Sequence, residues 1–204
     1  RTRSICGPSS YAVTFGTFHG IYYGILKWAY RLNQSNLLSD EEKYRILREI
    51  LPGIDWDQEP EADEEKDYLQ ELAIEIGNVK NNCMDIEEYE PVKYTTEKFR
   101  KLYRTYEETK KKYRKIDFED MLIQCRDLFM KRPDILKKWQ EKFQYILVDE
   151  FQDVNQAQYD VVRMLAAPQD NLFVVGDDDQ SVYGFRGAKP GIMMEFMKDY
   201  PKAR

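Results

Sequence analysis

Two short runs of consecutive apolar residues stand out along an otherwise mixed chain: Tyr145-Ile146-Leu147-Val148 and Leu172-Phe173-Val174-Val175. Neither alternates with polar residues, so each predicts a strand buried on both faces, as in a parallel sheet. Both run into acids, at Asp149-Glu150 and at Asp177-Asp178-Asp179. Between them Ala157, Val161 and Leu165 recur at helical spacing, and Asp153 with Gln156 resembles a capping box. That pattern predicts a helix over 154–166. Strand, helix, strand is the repeating unit of an α/β sheet. Residues 11–15 predict a third strand, followed by a helix with Phe18, Ile21, Tyr22, Ile25 and Leu32 along one face.

The middle of the chain has a different period. Residues 39–51 open with Ser39 and Glu42 at capping-box spacing and stop at Pro52-Gly53. Residues 61–76 carry Leu69, Leu72, Ala73 and Ile76 and are predicted to end at Gly77-Asn78. Residues 96–115 carry Phe99, Leu102, Tyr103 and Tyr106 at helical spacing. No strand pattern occurs between 35 and 115, which predicts an all-helical insertion in an α/β domain. Residues 117–130 return to the parent domain as an amphipathic helix, with Phe118, Met121, Leu122, Cys125 and Phe129 facing inward.

Composition narrows the function classes. With 42% hydrophobic and 33% charged residues, the 204-residue chain is ordinary for a soluble globular protein. No apolar run nears the roughly 20 residues that span a bilayer, so no membrane role is expected, and the cysteines are expected to be reduced thiols of a cytoplasmic protein. Cys6, Cys83 and Cys125 are far apart and His19 is the single histidine, which argues against a zinc site or a disulfide framework. The net charge of −6 excludes a simple polyanion binder, yet charge is unevenly spread. Residues 55–75 are strongly acidic. Residues 97–115 hold nine Lys or Arg against three Glu, a pattern expected of a solvated basic face, with phosphate contact as the alternative.

The chemistry concentrates where the apolar runs end. In Ile146-Leu147-Val148-Asp149-Glu150-Phe151-Gln152-Asp153, adjacent carboxylates follow a buried strand, the edge at which α/β folds bind ligands. In nucleotide hydrolysis such a first carboxylate holds Mg²⁺, and the next can deprotonate the attacking water. The second segment, from Val175-Gly176-Asp177 through Gln180, Tyr183, Phe185 and Arg186 to Ala188, follows the neighbouring strand. A Gln amide there can donate to a phosphate and accept from water at once. Tyr183 and Phe185 offer flat faces for bases, worth about 1–3 kcal/mol of stacking each, and Arg186 can bridge to phosphate.

These segments resemble the superfamily-one helicases of the UvrD/Rep/PcrA kind. Asp149-Glu150-Phe151-Gln152-Asp153 is similar to their motif II and residues 176–188 to motif III. Thr17-Phe18-His19 resembles motif Ib, and residues 116–122 the helix before motif II. The resemblance implies an incomplete RecA-like, P-loop NTPase-type α/β core, subdomain 1A, over 1–34 and 116–204. It assigns 35–115 to a helical subdomain 1B. It implies ATP and Mg²⁺ as cofactors and single-stranded and duplex DNA as partners, in repair or replication restart. By residue, it makes Asp149 the Mg²⁺ ligand, Glu150 the catalytic base and Gln180 the γ-phosphate sensor. Gln152 and Arg186 would neighbour the nucleotide. Thr17, Phe18, His19, Tyr183, Phe185 and Arg186 would line the single-strand path. Phe185 stands where many relatives carry Trp. The acidic triplet before Gln180 is nearer to this branch than to the RecB/AddA branch.

The sequence G-x-x-x-x-G-K-[ST], whose backbone N–H groups and Lys cradle phosphates, does not occur. Family order puts that loop upstream of Arg1 and the second motor domain downstream of Arg204. The isolated chain is therefore expected neither to hydrolyse ATP nor to unwind DNA. Two other readings fit the same residues: a non-catalytic DNA-binding or regulatory module, and the helicase subunit of a RecB/AddA-like helicase-nuclease.

Overall fold

The computed structural model describes residues 13–54, 64–177 and 191–203. In chain order these form α1 (Phe18–Tyr30), α2 (Asp40–Ile50), α3 (Glu65–Asn81), α4 (Thr96–Lys112), α5 (Asp120–Lys131), α6 (Pro133–Lys142), β1 (Ile146–Val148), α7 (Gln156–Ala166), β2 (Leu172–Val174) and α8 (Ile192–Asp199). β1 and β2 pair in parallel, Ile146 with Leu172 and Val148 with Val174, and α7 is the crossover between them. The class is α/β, helix-rich around a small parallel sheet.

The strands are not buried on both faces. Described helices pack against the face formed by Ile146, Val148, Leu172 and Val174. On the opposite face Leu147 is 74% and Phe173 61% exposed, because no described element covers it. The strand predicted over 11–15 is also absent where it is described: residues 13–17 pair with nothing in a sheet, and Val13 and Phe15 are exposed. A strand needs a hydrogen-bonded neighbour as well as an apolar pattern, and that segment lacks one among the described residues.

Three cores organise the described residues. One joins α1, α5, α6 and α7 through Tyr22, Ile25, Leu122, Cys125, Phe129, Ile135 and Val161. The buried residues of a second lie within 46–106, with Leu47, Leu69, Leu72, Phe99, Leu102 and Tyr106 almost wholly buried and Leu38 and Tyr44 packed against them. A third packs Val148, Phe151, Tyr159 and Val162 against Ile192 and Phe196 of α8. Each such side chain contributes about 1.5–3 kcal/mol on burial, so the segment 46–106 has enough apolar contact to organise its own helices.

Local signals set most boundaries. Ser39 and Glu42 form the predicted capping box, with Glu42 N–H donating to Ser39 Oγ at 3.2 Å and Ser39 N–H to Glu42 Oε2 at 3.1 Å. α3 runs on through Gly77 to Asn81 instead of stopping there. Gly77 faces the Glu119 carboxylate, 3.5 Å from where a Cβ would sit, and one turn later Val79 and Lys80 are buried. The helix continues because those two side chains have partners to reach. α5 starts later than expected, at Asp120, since Asp117 and Asp120 cap one another's backbone N–H groups at 2.8 and 3.0 Å. Phe118 consequently points outward rather than into the core. Likewise α7 begins at Gln156, not 154: Asn155 and Gln158 form the box (2.9 and 3.0 Å), while Asp153 ends a separate 3-10 turn over Phe151–Asp153.

Leu37 and Ile116 form a parallel bridge, with Leu38 N–H donating to Ile116 C=O and Ile116 N–H to Asn36 C=O, both at 2.8 Å. Beside it lies a buried ionic cluster. Lys80 of α3 and Lys110 of α4 each bind Asp117 at 2.7 Å, and both reach Asp120 and Glu107 at 2.5–2.8 Å. The Tyr106 hydroxyl adds a 3.1 Å bond to Asp117. The predicted solvated basic face of 97–115 therefore holds in part only, because Lys110 is almost completely buried.

Candidate active site

The site is built where β1 and β2 end together. Asp149 and Glu150 follow β1 and both carboxylates are exposed. Glu150 adopts a left-handed backbone (φ 51°), an uncommon state for a residue with a side chain and one that concentrates at functional turns. The turn is pinned by Phe151, fully buried and edge-on to Tyr159 and Phe196 with centroids 5.7 and 5.5 Å away. Backbone bonds continue the pairing past the strands: Val175 N–H to Val148 C=O and Phe151 N–H to Val175 C=O, each 2.8 Å.

Gln152 ties the two strand ends together. Its side chain, 3% exposed, donates from Nε2 to Glu150 Oε2 at 2.7 Å. Its Oε1 accepts from the Asp177 N–H at 3.1 Å. One amide thus orients the candidate base and fixes the start of the segment after β2. Gly176 is what lets the strands approach this closely. A Cβ there would lie 2.7 Å from Gln152 Oε1 and 3.1–3.2 Å from the backbone N of Gln152 and Phe151. Backbone atoms cannot yield as a flexible side chain would. Gly176→Ala should therefore lower stability by about 1–3 kcal/mol, read by urea denaturation. An unchanged midpoint would mean the approach is looser than described.

Asp149 suits a divalent cation. Its Oδ1 accepts from Glu150 N–H at 3.1 Å, and Oδ2 has no hydrogen-bond partner among the described residues. One free, solvent-facing carboxylate oxygen is what Mg²⁺ uses when water and phosphate fill its other positions. The cluster of Glu107, Asp117 and Asp120, whose oxygens lie within 4.8 Å of one another, is different. Two ammonium groups already sit among those oxygens, so their charge is met by Lys80 and Lys110. Those ammonium groups outweigh burial and hold the Asp117 carboxyl well below the usual range.

The other predicted residues divide into two groups. Thr17 caps α1, accepting from Gly20 N–H at 3.2 Å, and is exposed. Phe18 is half-buried, edge-on to Tyr22 and packed against the core that contains Val148. His19 is stacked on Phe118, with centroids 3.5 Å apart. These three lie on the first turn of α1 and its cap. Gln180, Tyr183, Phe185 and Arg186 lie outside the described residues, as does Cys6. Neither Cys83 nor Cys125 forms a disulfide with a described residue, and burial pushes the Cys125 thiol up. No described helix is long and apolar enough to cross a membrane. The roles of Gln152 as a tie and Phe118 as an outward ring were missed in the sequence. An amide two residues after a candidate base was the available signal for the first.

Residues 1–201 match the family described as the UvrD/REP helicase N-terminal domain. The protein YjcD of Bacillus subtilis (strain 168) is 40% identical over 200 residues, covering 94% of this chain and 25% of its own length. ATP-dependent DNA helicase PcrA of the same organism is 34% identical over 209 residues, covering 100% of this chain and 28% of the relative. DNA helicase II of Escherichia coli (strain K12) is 32% identical over 213 residues, again 100% of this chain and 28% of the relative. The chain thus spans about a quarter of the length of these relatives. With a family match over residues 1–201 and relatives 32–40% identical along nearly the whole chain, the chain belongs to the UvrD/REP helicase N-terminal domain family.

Proposed function

We propose that this chain supplies the hydrolytic edge of the first motor domain of an ATP-dependent DNA helicase acting in repair or replication restart. The carrying observation is the Glu150–Gln152–Asp177 chain of hydrogen bonds across two adjacent strand ends. Asp149 would hold Mg²⁺, which, when bound, would neutralise charge on the phosphates. Glu150, held in place by the Gln152 amide, takes the proton of the attacking water. Gln180 reads the γ-phosphate, and Arg186 and Gln152 border the nucleotide. Thr17, Phe18, His19, Tyr183 and Phe185 line the single strand. Residues 1–34 and 116–204 act as the motor subdomain and 35–115 as its helical insertion, a division supported by the separate core over 46–106.

The test is metal dependence. In the full-length protein, Asp149→Asn keeps the size of the side chain and removes its charge. The Mg²⁺ concentration giving half-maximal ATP turnover should rise about tenfold or more, as expected when a charged metal ligand is lost. An unchanged Mg²⁺ requirement would remove Asp149 from the site.

A further inference from the structure

At the opposite end of β1 from the acids lies a second feature that the nucleotide chemistry does not use. α6 ends at Lys142, just before β1 starts at Ile146. Its outer face meets the C-terminal end of α1 through aromatic rings. Trp28 of α1 is edge-on to Trp139 of α6 at 6.1 Å, and Trp139 stacks on Phe143 at 5.6 Å. Cations lie over these rings: Lys138 Nζ over Trp28 at 5.5 Å and Lys142 Nζ over Trp139 at 4.6 Å. Trp28 and Tyr30 remain 53% and 52% exposed.

The charge here runs against the acidic protein as a whole. Lys27 lies beside Trp28 on α1, Arg31 caps the end of that helix, and Lys138 and Lys142 sit one turn apart on α6. All four are exposed, and none makes an ion pair with a described residue. Asp134 is held by Arg132 at 2.7–2.8 Å, which leaves Glu141 as the uncommitted acid of α6. Large exposed aromatics among unpaired cations are unusual on a surface with no partner. An acidic peptide would use the ammonium groups and leave the rings idle. A single nucleic-acid strand uses both, phosphates on the cations and bases on the flat faces, without regard to sequence.

We infer that the α1–α6 face, centred on the exposed rings of Trp28 and Tyr30 with Lys138 and Lys142, is a second contact for single-stranded DNA, separate from the strand path beside the nucleotide. This rests on the reading that DNA is the substrate, but not on the assignment of Glu150. The test compares the full-length protein with its Lys138→Glu/Lys142→Glu variant. Binding of a long oligothymidylate, and of one too short to reach both surfaces, is measured across a salt series. Two lost phosphate contacts should reduce the salt slope for the long strand by about 1.4 and its affinity near 0.1 M salt about 20-fold or more. The short strand should bind and stimulate ATP turnover as before. Lys138→Gln/Lys142→Gln should show the same trend more weakly, so that a folding defect of the first variant does not decide the matter. Unchanged affinity and slope for the long strand would overturn the inference. So would a loss confined to a polyglutamate probe, which would assign the face to an acidic polypeptide. Failure of the nucleotide-site reading would instead appear in Glu150 variants, which leave these lysines intact.

Discussion

Glu150→Gln in the full-length protein should reduce DNA-stimulated ATP turnover by about 10²–10⁴-fold, the range expected for losing a positioned general base, while nucleotide affinity stays near that of the parent. The substitution preserves shape, and the new side chain can still accept from Gln152 Nε2 through its own oxygen. What it cannot do is take a proton. Measured together, turnover by phosphate release and affinity by a fluorescent ATP analogue separate this loss from a binding defect. Near-normal turnover would remove Glu150 as the base. A parallel loss of affinity would mean that the residue supports the turn more than the chemistry, which its left-handed backbone makes a specific alternative.

The second large effect concerns stability. Asp117→Ala should cost about 3–5 kcal/mol, the range for breaking a buried ion pair by removing one partner. Lys80 and Lys110 would keep their burial and lose their shared acceptor, and Asp120 would lose its reciprocal capping partner. Asp117→Asn restores the shape without the charge and should recover part of the loss. The pH dependence has a definite sign. Burial alone would raise the Asp117 carboxyl, but Lys80 and Lys110 outweigh it and hold it low. Its contribution is complete above the unfolded range near 3.9 and is lost as pH falls through the lower folded value. Lys80 behaves oppositely: burial opposes its charge, yet Asp117, Asp120 and Glu107 raise it well above the ordinary range. Its contribution is complete below about 10.4 and is lost only as pH rises through the higher folded value. Asp120 is pushed up by burial and by the charge of Asp117, so it takes the first proton of the pair and works against stability once ionised. Urea denaturation across a pH series reads all three. If Asp117→Ala matches the parent at neutral pH, the cluster is not a structural tie.

How much of this was legible in the sequence depends on range. Ser39 with Glu42, Asp149 with Glu150, and the two apolar runs are local patterns, and each lies where its pattern places it. The Asn155–Gln158 box was hidden by the imitation two residues earlier, Asp153 with Gln156, because composition alone cannot say which turn a 3-10 segment will consume. Gly77 resembled a helix stop because the contacts that carry α3 past it, Glu119 and the Lys80 cluster, come from residues far along the chain. The ionic cluster was invisible for the same reason, since Lys80, Lys110 and Asp117 share no spacing rule. The one-sided sheet corrects an inference from composition: four apolar residues in a row are compatible with two-sided burial but do not supply the second layer. In the site, residue types announced Asp149 and Glu150. The double use of the Gln152 amide depends on a strand partner that the sequence does not name.

The proposed chemistry depends on a divalent cation bound at the end of β1. Anomalous diffraction from crystals of the full-length protein grown with Mn²⁺ and a non-hydrolysable ATP analogue tests it directly. An Mn²⁺ peak is expected at the Asp149 carboxylate, bound to it directly or through one water. A peak among Glu107, Asp117 and Asp120, or nucleotide-bound Mn²⁺ remote from Asp149, would contradict it.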